Sequence, residues 1–488
     1  MAKAEKRKGK TGMKTVQGSK GAYLAKNVLL FSLMGLAPKI MSLLLVPLYT
    51  SRLTQGEYGI YELLSTTVSL FLPILTVDIQ DAAVRFALEG KYDRSKIFSI
   101  SLAVTMAGTG LAALGAYLVY KLGLFDVDRE YLLFFVLMFL CNGLYNIVTC
   151  FCRGIDKVGV MAAGSILTTA VILLGNVVFL VCFDWGLRGY LAANLLGTML
   201  GVLYCVIDGR LWRYFTIRWD KKLAGEMLSF GFPLVFAGVA WWVNNASDRY
   251  IMTFMCGVAA SGLYAVAYKI PNMLSAIQNI FTQAWSISAV RDFDKEDGDG
   301  FMGRMYGMMH TAMVLACSGI LLCNIPAAKL LYAGEFFEAW HFVPPLLLSV
   351  VFDAMSVFLG GILTAMKDTK TISLTAIIGA AVNTVCNFLF IYLWGGYGAA
   401  LATMLGCGTV LLLRRLIIGK KVRLKVPWKR YACAYALLGV QMGLAWQGMG
   451  LFFVQLGILC LLGVLHRREI LEVMDFAKTA CKNRKKEA

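Results

Sequence analysis

The chemically informative residues in this chain are the charges that interrupt long apolar stretches. Lys39, Arg249 and Lys269 lie inside such stretches, Arg52 lies at the end of one, and Asp248, Glu62 and Asp353 are the carboxylates in comparable positions. A charge at lipid depth is costly and normally faces water, a cavity or a partner. Cations so placed can hold an anion: arginine grips a phosphate with two parallel hydrogen bonds, and lysine acts as a point charge. Carboxylates so placed can take up H+ or Na+, or can neutralise the cations. Asp248 adjoins Arg249 and is the obvious neutralising partner.

Residues three and four apart share a helix face. On that rule Lys39 aligns with Ser32, Gly35, Ser42 and Tyr49, and Glu62 aligns with Thr66, Ser69, Thr76 and Gln80. Further along, Trp241, Asn245, Asp248 and Arg249 form one group, and Tyr268, Asn272, Ser275, Asn279, Gln283 and Ser286 form another, with Lys269 beside it. Such faces line a polar cleft or serve as interhelical glue. Trp241, Trp242 and Trp285 offer flat faces for sugar rings, or for packing and the membrane interface. Enzymatic signatures are missing: there is no Walker A sequence, no glycine-rich dinucleotide turn, no H-E-x-x-H and no G-x-S-x-G. The histidines His310, His341 and His466 are scattered along the sequence. We therefore expect no catalytic residue, metal or cofactor, and any pumping must draw on an ion gradient or on the substrate's own gradient.

The elements that position these residues follow from composition. Hydrophobic residues make up 59% of the 488 and charged residues only 16%, too little polar surface to clothe a soluble protein. The apolar runs are too long for the alternating strands of a barrel, which leaves an all-α polytopic membrane protein. A span needs about 20 apolar residues, and fourteen runs qualify: 24–50, 59–82, 97–120, 131–152, 159–183, 187–207, 228–255, 262–290, 305–325, 341–366, 372–394, 398–417, 431–447 and 449–466. With the N-terminus inside, 39 of the 47 Lys and Arg residues fall on the inner side and five on the outer, the asymmetry of cytoplasmic loops. Both termini are then cytoplasmic in a multi-pass cell-membrane protein. The formal charge of +18 is accounted for by those loops, without nucleic acid. The basic tail 1–23 and the basic stretches Asp208–Glu226 and Arg414–Arg430 read as solvated loops that meet anionic lipid heads. The thirteen cysteines contain no C-x-x-C pair and read as small apolar packers.

A duplication organises the spans. The stretch DWGLRGYLAANLLG (184–197) matches LWGGYGAALATMLG (393–406), with Gly186 and Gly189 falling on Gly395 and Gly398, and each copy follows an asparagine-bearing span, Asn176 or Asn387. GEYGIY ending at Tyr61 answers AASGLY ending at Tyr264. Six spans per copy is an even number, so the copies are parallel repeats. The expected organisation is a tail (1–23), an N-terminal six-helix lobe (24–207), a linker (208–227), a C-terminal six-helix lobe (228–417) around a central cleft, and a final helix pair with a basic tail (418–488).

Several segments carry a family likeness. VPLYTSRLTQGEYGIYELL (46–64), SDRYIM (247–252), GLYAVAYKIPNML (262–274) and YAGEFFEAWHFVPPLLLS (332–349) resemble the polysaccharide-transporter branch of the multidrug/oligosaccharidyl-lipid/polysaccharide exporter superfamily. The resemblance runs from about Gly21 to Ile418. It implies an alternating-access flippase, not an enzyme, that carries an undecaprenyl-pyrophosphate-linked oligosaccharide to the outer leaflet for surface polysaccharide biosynthesis. It further implies a cationic cavity lined by spans 1, 2, 7 and 8. By position, Lys39, Arg52, Arg249 and Lys269 become the anion ligands, with Asn245, Trp241 and Asn272 beside them. Asp248, Glu62 and Asp353 are the candidates for a coupling H+ or Na+, and polysaccharide-assembly proteins are the implied partners. A lipid II flippase is the nearest alternative. A multidrug cation antiporter would concentrate carboxylates instead, and a non-transporting scaffold would not need the paired polar faces.

Overall fold

The computed structural model describes residues 39, 41–123, 128–216, 220–291, 293–298, 300–447 and 451–471. The basic tail 1–23 and most of the first span lie outside the described residues. Among the described residues the structure is helical, with no strand. Nine helices among the described residues are long and apolar enough to cross a membrane, and large apolar side chains such as Leu174, Phe254 and Tyr392 are exposed. A lipid-exposed surface of this kind tolerates only helices, because each satisfies its own backbone groups.

Several runs that read as single spans are interrupted. The second divides into Gln55–Leu75 and Ile79–Glu89, with Val77 and Asp78 in the left-handed region at φ 51° and 47°. The Val77 carbonyl seats on Gly231, where a Cβ would lie 2.1 Å from the oxygen; only glycine accommodates that approach. The eighth run divides into Val258–Ala267 and Lys269–Arg291. Pro271 has no N–H to give the carbonyl of Ala267, so the helix restarts there. Runs 11 and 12 form Thr369–Lys421, which doubles back at Gly395.

The chain divides into two compact units, one comprising Met1–Ser42 and Leu64–Ala240, the other Leu43–Leu63 and Trp241–Ala488. In the first, Ile97, Phe98, Ile147, Phe151, Leu211, Leu223 and Met227 share one apolar core. Lys96 reaches Asp220 at 2.9 Å, and Tyr92 donates to Glu226. Val158–Val177, continued by a π turn, pairs with Gly186–Asp208. Small residues set this pairing: a Cβ at Gly164 would meet Cys205, one at Gly197 would meet Ile172, and one at Gly201 would meet Thr168.

In the second unit Val343–Ala365 is central, with Leu347, Val351, Met355, Phe358 and Ile362 fully buried. The doubled helix repeats the small-residue pairing of the first unit. Gly379 lies against Val410 and Gly406 against Asn383, while Gly186 and Gly395 turn their chains at φ 54° and 56°. Helices Trp428–Ala445 and Phe452–Leu465 pack on Phe301–Leu322 through Ser318 and Gln441 (2.7 Å) and through His310 and His466 (3.1 Å). Two of the three histidines that are scattered in sequence are thus buried together. Tyr431 stacks on His310, and Glu469 pairs with Arg430 beside them.

Candidate functional site

The site is built where helix Lys221–Cys256 presents Asp248 and Arg249. Adjacent helical residues point about 100° apart, and these two enter different surroundings. Arg249 Nε lies 2.8 Å from Glu62 Oε1, the two side chains being 16% and 15% exposed. Its N–H is not directed at that oxygen, so the contact is an ion pair without a hydrogen bond. Arg249 Nη1 donates to the carbonyl of Asn245 at 3.2 Å, and the guanidinium lies over the Tyr268 ring at 5.3 Å. Glu62, and not the adjacent Asp248, is therefore the carboxylate on Arg249.

Glycine contacts bring Glu62 into reach. A Cβ at Gly59 would lie 2.2 Å from the Val258 carbonyl oxygen, and one at Gly262 would lie 2.2 Å from that of Gln55. Backbones therefore touch here, with Glu62 one turn beyond Gly59. The same approach sets Lys269 Nζ 5.8 Å from the Tyr58 ring, which stacks on Tyr49 at 4.7 Å and 7°. A guanidinium and an ammonium thus each face a tyrosine ring, a cation–π arrangement that holds a charge without cancelling it.

Asp248 is 2% exposed. Its Oδ2 accepts from Thr403 Oγ1 at 2.9 Å and, at longer reach, from the hydroxyls of Tyr264 (3.3 Å) and Tyr268 (3.5 Å). Its Oδ1 faces Asn383 Nδ2 at 3.4 Å, and Asn387 Nδ2 donates to Asn383 Oδ1 at 3.0 Å. Asn387 Oδ1 is buried with no partner among the described residues. The carboxylate thus sits among neutral oxygen- and nitrogen-bearing groups in the pocket formed with the doubled helix.

The remaining sequence candidates are dispersed. Asp353 accepts from Gln278 Nε2 at 2.8 Å. Lys39 is half-buried and belongs to the first unit. Arg52 and Asn272 are exposed; Asn245 contributes its carbonyl, and the Trp241 side chain lies outside the described residues. Arg414 departs from the solvated-loop reading: it is 7% exposed and donates to Thr375 Oγ1 and to Ser356 O and Oγ. The helix of run 12 extends to Lys421, which carries Arg414 back into the bundle. Beyond it, Lys421 and Thr371 hold the Asp368 carboxylate down at about 2. Among the described residues no group of three or more His, Cys, Asp and Glu is arranged to hold a metal. Tyr58, Tyr264, Asn383, Asn387 and Thr403 join the site only in the fold; in the sequence their signals are the Asn387 repeat match and the i, i+4 spacing of Asn383 and Asn387.

Several long apolar helices that hold charged side chains away from solvent mark a multi-pass membrane protein. Residues 24–286 match the polysaccharide biosynthesis protein family, and the chain belongs to it. Its fold is shared with transporters of the multidrug/oligosaccharidyl-lipid/polysaccharide exporter superfamily. The lipid II flippase MurJ in an inward closed conformation superposes with a TM-score of 0.68 at 14% identity, covering 91% of this chain and 99% of that one. A multidrug resistance MATE family transporter in an inward-facing conformation gives 0.61 at 11% identity, covering 83% and 99%. A superfamily transporter from Pyrococcus furiosus, described by a reversed polarity of its binding pocket, gives 0.54 at 12%, covering 81% and 96%. No curated protein matches the sequence.

Proposed function

We propose that the protein is a flippase that moves a polyprenyl-pyrophosphate-linked oligosaccharide from the cytoplasmic to the outer leaflet of the cell membrane by alternating access. The carrying observation is the charge arrangement: Arg249 and Lys269 are held in one unit with Glu62 as the nearby carboxylate, while Asp248 is turned into a neutral pocket. A site with cations in excess suits a pyrophosphate and repels cationic drugs. Arg249 binds the phosphate, Lys269 adds attraction, and Lys39 and Arg52 contribute charge along the path. The basic-residue asymmetry supports cytoplasmic termini, and the sequence repeat supports a six-plus-six lobe arrangement.

The Asp248 pocket is the reading's coupling site. One carboxylate, hydroxyls and side-chain amides form an oxygen-rich set suited to a hard cation such as Na+, or to a proton on Asp248 itself. Asn383 and Thr403, which the first hairpin lacks at the matching places, support such an occupant. A lipid II substrate would use the same pyrophosphate chemistry, and the likeness to MurJ keeps that second reading in view.

Glycan export in a deletion strain tests the assignment, with membrane abundance of each variant measured in parallel. Arg249→Lys and Arg249→Ala should both fail at normal abundance, because lysine keeps the charge and loses the bidentate geometry. Normal export by abundant Arg249→Ala would remove Arg249 from the mechanism. Rescue of peptidoglycan synthesis, with no rescue of surface glycan, would transfer the reading to lipid II.

A further inference from the structure

The ion pair on Arg249 has a second consequence, which rests on the reading of Arg249 as the anion ligand. Glu62 is the penultimate residue of the segment Leu43–Leu63, which comes from the N-terminal half of the sequence but packs within the second unit. Neutral contacts fasten most of this segment. Thr50 Oγ1 accepts from Ala333 N at 3.2 Å, while its own hydrogen is shared between the Val46 carbonyl at 2.8 Å and that of Leu331 at 3.2 Å. Gln55 Nε2 donates to the Glu335 carbonyl at 2.9 Å, and Tyr58 meets Phe336 edge to face. At the far end the fastening is electrostatic, Glu62 to Arg249 at 2.8 Å.

The quality of that contact matters. Arg249 Nε–H makes no hydrogen bond to the Glu62 oxygen, and Nη1 donates to the Asn245 carbonyl, so the fork is not seated on the carboxylate by two parallel bonds. A pyrophosphate diester carries two negative charges and oxygens spaced for that fork; a single misdirected carboxylate is a weaker occupant of the same charge. We propose that Glu62 is a built-in competitor for the substrate anion. In the ligand-free protein it occupies Arg249; the substrate's phosphate displaces it, and the exchange releases Leu43–Leu63 from the rest of the second unit. Glu62 is then a positioning residue that ties anion binding to movement of this segment. It also sets a threshold, because a monoanionic carboxylate ligand gains little by replacing one carboxylate with another.

The test uses the full-length protein in lipid nanodiscs with inorganic pyrophosphate as the probe, titrated at constant ionic strength. Spin labels at Ser51→Cys and Glu338→Cys, in a cysteine-free background, report the separation of the segment from the loop that holds it. In the parent the separation should lengthen only when pyrophosphate is added. In Glu62→Gln it should be longer without the probe, and pyrophosphate should bind roughly tenfold more tightly, because the self-competition is gone. Glu62→Asp, a shorter-armed competitor, should fall between the two and carries the test if the glutamine variant does not fold. Parent-like affinity and separation in folded Glu62→Gln or Glu62→Asp, with the parent binding pyrophosphate, would overturn the exchange and leave the anion site standing. No pyrophosphate binding by the parent or either variant would overturn both.

Discussion

The two helix hairpins, 158–208 in the first unit and 369–421 in the second, share a frame and differ in what the frame carries. Each turns on a left-handed glycine, Gly186 or Gly395, and each closes its arms with small residues, so that Ile172 lies on Gly197 where Asn383 lies on Gly406. Each bears a buried asparagine whose amide oxygen has no partner among the described residues, Asn176 or Asn387. In the first copy the polar groups turn inward on their own helices: Asn176 donates to the Ile172 carbonyl and Asn194 to that of Tyr190, both at 2.8 Å. In the second copy Asn383 and Thr403 occupy the places of Ile172 and Asn194, and both reach Asp248. Shared features therefore report packing, and the departures between the copies report the site.

The largest effect should come from Asp248→Asn. Removing the Asp248 charge while keeping the side chain's shape should cut glycan export tenfold or more at normal membrane abundance, the scale of losing a group that acts in the transport step. Export near the parental level would reduce the second hairpin to a packing unit like the first.

Making the second copy resemble the first is the sharper comparison. Asn383→Ile should leave thermal stability in detergent near that of the parent, since the first copy packs an isoleucine there, and should lower export severalfold while flattening its dependence on the cation gradient. An unchanged gradient dependence would place coupling elsewhere.

The reciprocal change, Ile172→Asn, puts an amide where no acceptor set exists. A loss of about 1–3 kcal/mol of stability is expected, read as a lower melting temperature, with export per folded molecule unchanged.

The smallest effect lies at the open ends of the hairpins. Lys157 closes the first on the Gly209 carbonyl at 2.7 Å, and Asp368 closes the second on Lys421. Asp368 is depressed from 3.8 to about 2, so its contribution is present above pH 3.8 and fades as the pH falls toward 2. The small melting-temperature gap between the parent and Asp368→Asn at pH 7 should close over that window. A gap that persists at pH 2 would remove the ion pair as its cause.

Much of this organisation was legible in the sequence, because long apolar runs fix the spans and the repeated glycines align the two hairpins. Asp248 and Arg249 stood out as charges at lipid depth. Their partners did not. Glu62 reaches Arg249 through the backbone contact at Gly59 and Gly262, which no local pattern announces, so the neighbouring Asp248 was the natural expectation for the direct contact that Glu62 makes. Asn383 and Thr403 look like ordinary interhelical glue until the fold aims them at a carboxylate. The break at Val77–Asp78 has no turn signature of its own and depends on Gly231, while Arg414 was concealed by the basic stretch it begins.

The most direct test is translocation by the purified protein. Proteoliposomes carrying a fluorescent polyprenyl-pyrophosphate oligosaccharide in both leaflets allow flipping to be followed by quenching from outside. The account predicts transfer well above that of protein-free vesicles, lost in Arg249→Lys and Asp248→Asn reconstituted to equal density. Transfer no faster than in protein-free vesicles, under an imposed Na+ or H+ gradient of either direction, would contradict it.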